Sequence, residues 1–462
     1  MAFSTCLTLH PREGGPGLAM PPDILAQLGL FPGQTIRMQT KTQQATLRVE
    51  SADFLPPGQA MLDARVLQRL HLPPRWPLQL RHVGSGELLV GPFVGILCQR
   101  SGAGSPYGPQ TTFFRRLIRL GRSMHMAVYV FEPGDVNRAV GAVAGWTWLD
   151  GRGWVRRLFP IPHVLYDRGY VTAPVLRLQR WLRVRARVQQ FNALVGSKWW
   201  VYRLLARFPD LKPLLPETRV LRTTGDLMSM LRRYGTVYVK SAGGGKGIGI
   251  WVIHAGGGTF SYRYTDAQTR IHRGRTANLA AVVQHLLSRP RQPWLIQPRV
   301  DLARWRGRIF DVRVLVQRDG RGEWQVTGTG ARIGRRGSII SNLYGGGDAW
   351  PLEPVLAESL GMTAADAAEL RRRIEEIALR VADEIDRACR RTGYVGELGI
   401  DIGIDRAGGL WFFEANSRTG RNLFRQAGLL DSGRLADRRP LEFALYLSEF
   451  AAAAANVEQA FA

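Results

Sequence analysis

The chain has few acidic residues, few lysines and few cysteines. Its 37 Asp and Glu face 63 Lys and Arg, a formal net charge of +26, yet only five of the basic residues are lysines. The arginines are scattered and form no long basic run, so we do not expect nucleic acid as a partner despite the charge. The three cysteines are far apart and odd in number, which argues against a disulfide scaffold and favours a reducing, cytoplasmic location.

Long apolar runs are absent as well. No stretch of about 18 apolar residues occurs, so we expect no membrane-spanning helix. Residues 1–15 also lack the basic and then apolar pattern of a secretory signal. With 45% hydrophobic and 22% charged residues, the composition is that of a globular protein. The length of 462 residues corresponds to about three domains.

Changes in composition and in the pattern of apolar residues along the chain predict three domains and a tail. They are a β-rich, barrel-like domain at residues 1–90, an α/β domain at 91–194, a larger α+β domain at 195–450 and a tail at 451–462. The first domain contains a repeat, because apolar positions between Ile24 and Met38 recur 42 residues later between Val66 and Leu80. Each copy reads as a helical turn, a loop and a strand, so the copies are expected to form two halves of a barrel.

Hydrophobic periodicity predicts the main elements of the other domains. Two apolar runs flanking a helical segment, Phe93–Leu97 and Ala127–Phe131, read as buried strands of an open α/β sheet. Helices are expected at 175–191, with its arginines on a solvated face, at 363–391 and at 441–456.

The segment from Thr236 to Ile253 reads as strand, glycine-rich loop and strand. Val237–Val239 leads into Lys240, and the loop from Ser241 to Gly249 contains five glycines and Lys246. Glycine allows backbone N–H groups to approach phosphate oxygens, and lysines neutralise their charge. The spacing matches neither the P-loop nor the dinucleotide-binding fingerprint. The alternative is a flexible hairpin tip without a ligand.

A second feature pairs two carboxylates late in the chain. Period-two alternation places Glu414 and Asn416 on one strand face, and a tight turn before them puts Asp401 opposite Glu414. Facing carboxylates repel each other, and a divalent cation between them would remove the conflict. Two carboxylates and an amide oxygen suit Mg²⁺ or Mn²⁺. The alternative is an exposed hairpin whose acidic residues face water.

A third feature lies between these two. Gln297, Pro298, Arg299 and Val300 follow an apolar strand and could form a hinge whose backbone binds a flat base. The strand Phe310–Gln317 then projects Asp311 and Arg313 from one face, and Arg332 follows. An arginine aimed into a site can hold a phosphoryl group or a carboxylate, although a strand arginine is more often solvated.

In this order, these features resemble the ATP-grasp superfamily over residues 195–450. More narrowly, the segments GPFVGIL, SKWWVYRLL, YVKSAGGGKGIGI, FDVRVLVQ, ARIGRRGSIISNLYGGG and FFEANSRTG look like the endospore coat-associated YheC/YheD family over about residues 91–450. The family often has a proline where this chain has Ser241. The resemblance implies an α+β fold in which two lobes clasp a nucleotide, preceded by a small α/β pre-ATP-grasp domain and the barrel-like domain.

The resemblance also implies a role for each motif residue. ATP would be bound by Lys198, Lys240, Gly243, Gly244, Gly245, Lys246, Gly247 and the hinge Gln297, Pro298, Arg299 and Val300. Mg²⁺ would be held by Asp401, Glu414 and Asn416. The catalytic groups would be Arg313, Lys240 and Arg332, with Arg313 stabilising the transferred phosphoryl group.

The implied activity is an ATP- and magnesium-dependent ligase. ATP would phosphorylate a small-molecule carboxylate, and an amine or similar nucleophile would displace phosphate. Two alternatives stay open: a nucleotide-binding, spore-coat-associated assembly protein whose first domain docks it, and a small-molecule kinase on the same scaffold. The sequence names neither substrate.

Overall fold

A computed structural model of the chain describes residues 3–15, 17–101, 106–192, 195–243, 249–266, 268, 270–288, 293–338, 341, 346–448 and 450. The chain divides into two compact units. One comprises residues 1–193, 318–323 and 437–462, and the other comprises residues 194–317 and 324–436. Of the helices in the described ranges, none is long and apolar enough to cross a membrane.

The first unit begins with a closed barrel of seven strands in the order β1-β5-β2-β4-β3-β7-β6. Its elements are β1 (Phe3–Arg12), β2 (Gly17–Met20), α1 (Pro22–Leu28), β3 (Thr35–Gln39), β4 (Gln44–Ser51), β5 (Gln59–Asp63), α2 (Ala64–Arg69), β6 (Pro77–His82) and β7 (Glu87–Gly91).

The barrel confirms the repeat. β2, α1 and β3 begin 42 residues before β5, α2 and β6. The repeated apolar side chains are buried in both copies; they are Ile24, Leu25, Leu28, Leu30, Ile36 and Met38, and Val66, Leu67, Leu70, Leu72, Leu78 and Leu80. Two copies of one pattern therefore share a single core.

An open α/β sheet follows in the same unit. Its elements are β8 (Phe93–Leu97), α3 (Thr111–Ser123), β9 (Ala127–Phe131), β10 (Val136–Asn137), β11 (Ala142–Leu149), β12 (Gly153–Pro160), β13 (Val164–Asp167), α4 (Ala173–Val184) and β14 (Gln189–Phe191). The strand order is β10-β11-β9-β8-β13-β14, with β12 paired to β11, and β8 is parallel to β9 and β13. The two predicted strands are confirmed at their predicted bounds.

The prediction of one helix over 175–191 is wrong at its end. The helix α4 stops at Val184, and β14 pairs in parallel with β13. Between them, Arg187 has a positive φ of 53°, a conformation that no α-helix continues through. The apolar residues after Arg187 therefore belong to a sheet rather than to the helix.

The second unit contains two sheets. The first has the order β15-β20-β16-β17-β18-β19. Its elements, with the preceding helix, are α5 (Lys198–Leu205), β15 (Arg219–Leu221), α6 (Thr224–Tyr234), β16 (Thr236–Ser241), β17 (Trp251–Gly256), β18 (Thr259–Thr265), β19 (Ile271–Thr276), α7 (Leu279–Leu287) and β20 (Trp294–Pro298). The side chains of Val237, Val239 and Ile253 pack with α6 and α7 in one core, so Tyr238 and Lys240 lie on the opposite face.

The second sheet has the order β24-β23-β22-β25-β26, with β21 paired to β22. Its elements are β21 (Arg304–Trp305), β22 (Arg308–Arg318), β23 (Trp324–Ile333), β24 (Asp348–Trp350), α8 (Leu352–Leu360), α9 (Ala364–Cys389), β25 (Glu397–Ile404), β26 (Leu410–Asn416), α10 (Asn422–Gln426) and α11 (Leu430–Leu447). The apolar stripe of α9 packs against Val312, Val314 and Ile400, which leaves the alternate residues of β22 and β25 on the other face.

Two helix predictions concern α9 and α11, of which α11 begins in this unit and has its residues from Asp437 onward in the first unit. The helix at 363–391 is confirmed, and the Thr363 hydroxyl accepts a hydrogen bond from the N–H of Asp366 at its start. The closing helix begins earlier than predicted, at Leu430, and runs through Pro440. A proline normally marks a helix start or break, so its presence inside α11 hid the first turns. The rest of the prediction, residues 449 and 451–456, lies outside the described residues.

Candidate functional site

Three charged side chains form one row across the second sheet. Arg313 of β22 lies directly opposite Asp401 of β25, and Asp401 lies opposite Glu414 of β26. Residues directly opposite in antiparallel strands project from the same face. The predicted pairing of Asp401 with Glu414 is therefore confirmed, and Arg313 joins them on that face.

A β-bulge sets this register. Asp401 pairs with Glu414, whereas Ile402 pairs with Phe412, so Phe413 is the extra residue. Without it, Asp401 would lie opposite Phe413, and Glu414 would point to the other face of the sheet. Gly403 makes room for the bulge, since a Cβ there would lie 2.4 Å from the ring of Phe413. The bulge is thus what brings both carboxylates to one face.

Asp401 is neutralised by two arginines. Its Oδ2 accepts hydrogen bonds from Nη2 of Arg313 at 3.0 Å and from Nη2 of Arg332 at 2.9 Å, and its Oδ1 accepts one from Nε of Arg313. Burial would raise the pKa of Asp401, but the two guanidinium groups lower it below its usual value. The protein thus supplies cations of its own to Asp401, and the metal site at Asp401, Glu414 and Asn416 stays a prediction.

Arg332 is held by a second carboxylate. Its Nε and Nη2 donate to the two oxygens of Asp311 at 2.7 and 2.6 Å, and the hydroxyl of Ser341 donates to Asp311 at 2.6 Å. Burial lowers the pKa of Arg332, but Asp311 and Asp401 outweigh it and raise the pKa above the usual value. Strand alternation predicts Asp311 on the face of Arg313, but it gives no sign that Asp311 anchors Arg332.

Glu414 has a lysine partner. Its Oε1 lies 2.9 Å from Nζ of Lys198, and the two side chains are 25% and 15% exposed. Lys198 begins α5, where Ser197 caps the helix by accepting the N–H of Trp200, and its own N–H donates to the carbonyl of Ala242 just after β16. This backbone hydrogen bond fixes the start of α5 to the end of β16, the strand that carries Lys240.

Lys240 has a strongly shifted pKa. Burial and the positive charge of Lys198 lower it, Glu414 and Asp401 oppose the shift, and the net pKa is about 8. These influences place Lys240 near the row of charges. A lysine in this state is protonated at neutral pH and loses its proton in mildly alkaline solution.

Asn416 completes an oxygen set beside this row. It lies two residues after Glu414 on the same face of β26 and opposite Gly399. In the described part of the chain its side chain has no hydrogen-bond partner, and no group of three or more His, Cys, Asp and Glu side chains gathers as a metal site. Carboxylate and amide oxygens of Glu414 and Asn416, with the second lone pair of Asp401 Oδ1, are donors that suit a magnesium-type ion.

Part of the hinge backbone already makes hydrogen bonds within the protein. The N–H of Arg299 donates to the carbonyl of Thr236 at 3.0 Å, and the carbonyl of Val300 accepts the N–H of Leu302 at 3.0 Å. The side-chain amide of Gln297 donates to the hydroxyl of Thr218 at 2.7 Å. Proline has no N–H, and Gln297 lies inside the ladder opposite Tyr238. Among the contacts of the described residues, the backbone N–H of Val300 is the one of this hinge without a partner.

Most of the predicted glycine-rich flap cannot be compared with the structure. Gly243 is exposed directly after β16, whereas Gly244, Gly245, Lys246 and Gly247 lie outside the described residues.

A buried ion pair behind the site was missed by sequence reasoning. Glu397 and Arg421 are 2.6 Å apart, with side chains 0% and 5% exposed, and Arg421 also donates to the carbonyl of Thr419. The Thr419 hydroxyl accepts a hydrogen bond from Nη1 of Arg313 at 3.0 Å. This chain of contacts holds Arg313 through its Nη1, whereas its Nε and Nη2 bind Asp401. The only sequence signal was a glutamate inside the apolar run that precedes Asp401.

Comparison with known proteins gives consistent matches. A model of the YheC/D like ATP-grasp family matches residues 187–447. The chain is 29% identical over 368 residues to the endospore coat-associated protein YheD of Bacillus subtilis, covering 78% of this chain and 80% of that protein. It is 24% identical over 279 residues to YheC of the same organism, covering 58% and 73%. A solved D-alanine–D-alanine ligase from Coxiella burnetii aligns with a TM-score of 0.44 at 12% identity, over 80% of this chain and 97% of that chain.

The charge row predicts unequal stability losses for its two carboxylates. Asp401→Asn leaves two nearly buried arginines without their shared anion, so we expect a loss of about 3 kcal/mol, or roughly 10 °C in the midpoint of thermal unfolding. Glu414→Gln breaks a more exposed pair and should cost about 1 kcal/mol or less. Calorimetry of both variants checks this. Equal losses, or a neutral Asp401→Asn, would contradict the assignment of Asp401 as the anchor of the arginines.

Proposed function

The chain belongs to the YheC/D like ATP-grasp family and has its α+β fold, and from that membership we propose that it is an ATP- and magnesium-dependent ligase. ATP phosphorylates a carboxylate to an acyl phosphate, and an amine or similar nucleophile then displaces phosphate. The observation that carries this proposal is the row of Arg313, Asp401 and Glu414. Lys198 pairs with Glu414 at the end of this row, and Lys240 lies near it. Transfer of a phosphoryl group to a carboxylate joins two anions, and such a row supplies both fixed cations and metal-binding oxygens.

The lysines are proposed to bind the phosphates. Lys198 and Lys240 are brought together by the hydrogen bond from Lys198 N–H to Ala242. Because Lys198 pairs with Glu414 in the free protein, its ammonium group is already oriented toward the carboxylate that would hold the metal. Gly243, Gly244, Gly245, Lys246 and Gly247 are proposed to fold over the phosphates, in keeping with the glycine-rich composition of that loop.

The hinge is proposed to bind adenine through its backbone. Val300 would donate its N–H to a ring nitrogen, and a carbonyl of Pro298 or Arg299 would accept from the exocyclic amine. Gln297 keeps the hinge in place through its hydrogen bond to Thr218. Val300 is assigned as the donor because the N–H of Arg299 already donates to the carbonyl of Thr236.

Glu414 and Asn416 are proposed as the principal magnesium ligands, with Asp401 as a third through its Oδ1. When bound there, the ion would neutralise phosphate charge and polarise the transferred phosphoryl group. Glu414 can turn from Lys198 to the metal because this ion pair is partly exposed, whereas Asp401 is fixed by its arginines. Mn²⁺ suits the same oxygen donors.

Arg313 and Arg332 are proposed to stabilise the transferred phosphoryl group. In the described contacts, each uses three of its five N–H donors to hold a carboxylate or hydroxyl group. The remaining N–H donors belong to guanidinium groups that the protein already holds in place. They can therefore stabilise the charge that develops on the transferred phosphoryl group without a rearrangement of the arginines. The names of YheD and YheC add the proposal of a spore-coat association, and the proposed cytoplasmic location rests on the three scattered cysteines alone.

The metal assignment predicts that Glu414→Gln removes the effect of magnesium on ATP binding. We expect the normal protein to bind ATP at least about tenfold more tightly with Mg²⁺ than with EDTA, and the variant to bind equally in both, since a principal metal ligand is lost. Calorimetric titration measures both affinities. Glu369→Gln on α9, which also removes a glutamate paired with a basic side chain, is the matched control and should keep the magnesium effect. A full magnesium effect in Glu414→Gln would overturn the metal assignment.

The reaction class predicts a trappable acyl phosphate. With Mg-ATP, hydroxylamine and a panel of carboxylates, we expect a hydroxamate and free ADP for the accepted substrate, detected by mass spectrometry. A stable phosphorylated product without hydroxamate would instead identify a kinase. Tight, magnesium-dependent ATP binding without turnover across the panel would favour an assembly protein.

The lowered pKa of Lys240 predicts that ATP binding depends on pH. Its folded-state pKa of about 8 means that its ammonium charge is present below pH 8 and lost as the pH rises through 8. Affinity for Mg-ATP should therefore fall by up to about tenfold per pH unit above pH 8. Lys240→Arg keeps its charge, so its affinity should stay flat over the same range. A flat curve for the normal protein, measured by titration at saturating magnesium, would remove Lys240 from the phosphate site.

A further inference from the structure

The first sheet of the second unit ends in a strand that is paired on one side. β19 pairs with β18 alone and has six residues, whereas β15 at the opposite edge has three. The pairing of β18 with β19 runs in unbroken register from Phe260 and Thr276 to Thr265 and Ile271. Common protections of a sheet edge are a very short strand, a proline, a bulge or charged side chains. β15 is short, whereas β19 has the charged side chains and none of the other three.

Hydrogen bonds at the start of the ladder show which way the backbone of β18 faces. The N–H of Thr265 donates to the carbonyl of Ile250, just before β17, at 3.3 Å, and the carbonyl of Thr265 accepts the N–H of Gly249 at 2.9 Å. These directions alternate along a strand, so the backbone of Arg263 also faces β17. Arg263 lies directly opposite Arg273 of β19. The two residues therefore form a pair without mutual backbone hydrogen bonds.

The outer side of β19 consequently carries a row of backbone donors and acceptors. Ile271, Arg273 and Arg275 each direct an N–H and a carbonyl away from β18, because they alternate with the residues that bond to it. In the part of the chain that the structure describes, no backbone group pairs with this row. The three side chains are exposed and share one face of the sheet. The edge is thus open to one more strand.

Two arginines face each other at this edge. Arg263 and Arg273 are directly opposite, in the kind of pair whose side chains approach most closely. Like charges in this position destabilise a sheet. Among the described residues, neither arginine has an ion pair. A ligand of opposite charge would offset their repulsion.

The local sequence provides no acid for this purpose. Residues 227–300 contain eleven lysines and arginines and one acidic residue, Asp266. Asp266 holds the turn between β18 and β19, where its Oδ2 lies 3.0 Å from Nε of Arg270 and 2.8 Å from Nε2 of His272. Its Oδ1 accepts the backbone N–H of Arg270 at 2.9 Å. The acid of this segment therefore stabilises the hairpin and leaves the edge positively charged.

We propose that the edge of β19 binds an acidic peptide as an added antiparallel strand. In this mode of recognition, main-chain hydrogen bonds provide affinity and alternate side chains provide specificity. Peptide residues that exchange hydrogen bonds with Arg273 and Arg275 lie directly opposite them and project from the same face. Carboxylates at these two positions, with one residue between them, pair with both arginines. The partner is thus an extended segment with Asp or Glu at every second position.

Other occupants match this edge less well. A second copy of β19 would set arginines against arginines, and charges on an edge strand disfavour that pairing. A nucleic acid phosphate accepts hydrogen bonds from N–H groups and arginines, but it has no donor for the backbone carbonyls of Ile271, Arg273 and Arg275. An acidic strand satisfies the donors, the acceptors and the charge together.

Calorimetric titration of the full chain with synthetic peptides tests the proposal. The probe is a short peptide in which glutamate alternates with threonine, and we expect saturable binding that weakens at high salt. Methylation of the glutamate N–H groups keeps the charge but removes the donors to β19, so the affinity should fall at least about tenfold. Methylation of the threonine N–H groups, which point away from β19, is the matched control and should leave the affinity within about twofold.

Charge reversal tests the side-chain part of the proposal. Arg273→Glu with Arg275→Glu turns two attractions into repulsions and should weaken binding of the unmodified peptide at least about tenfold. Arg65→Glu with Arg69→Glu reverses two exposed arginines of α2 and changes the net charge equally. This control should keep the affinity within about twofold. Thermal unfolding checks that both variants are folded.

Four results would overturn the proposal. Equal affinities of the two methylated peptides would exclude strand addition, and equal losses in the two variants would indicate unspecific attraction by the net charge. Absence of binding of the unmodified peptide would refute it directly. Single-stranded DNA that binds more tightly than the peptide, and loses affinity in Arg273→Glu with Arg275→Glu, would assign the edge to a nucleic acid instead.

Discussion

The candidate site depends on the neutralisation of Asp401 by Arg313 and Arg332. A buried carboxylate without cations would be strongly unfavourable, and two buried guanidinium groups without an anion would be equally so. Each of the three fixes the other two, and Asp311 and Thr419 extend the network on either side. The pair of Glu414 and Lys198 is more exposed than the arginines and Asp401. A buried centre beside a more exposed pair is the arrangement that we propose to bind metal and triphosphate.

The predicted pairing of Asp401 with Glu414 assumed a tight turn and a regular ladder, whereas the structure pairs Ile402 with Phe412 and reaches the same pairing through a bulge. Sequence alternation was sufficient to place Asp311 on the face of Arg313, because faces of a strand follow a period of two. It could not reveal the bulge at Phe413, although the pairing depends on it, since a bulge leaves no compositional trace beyond the nearby Gly403. It also could not identify which cation neutralises Asp401. The neutralising cation is decided by the register between strands that are far apart in sequence. A metal ion and an arginine can each neutralise a buried carboxylate, so the sequence alone does not distinguish them.

Errors in the helix boundaries have a similar origin. The periodicity of α4 continues past Val184, but the backbone turns at Arg187, and the apolar residues beyond it serve a parallel strand. The helix α11 contains Pro440, which local rules treat as a break. Both cases show tertiary packing overriding a local preference, whereas the repeat of the barrel and the helix α9 were predicted because their apolar patterns agree with the final fold.

The most direct test of the account is the location of a metal ion in the site. Crystals grown with Mn²⁺ and a non-hydrolysable ATP analogue would locate it by anomalous scattering. We predict a peak about 2.1 Å from oxygens of Glu414 and Asn416, with Asp401 still bound by its two arginines and Lys198 turned to the phosphates. A peak elsewhere, or a nucleotide bound away from these residues, would contradict the account.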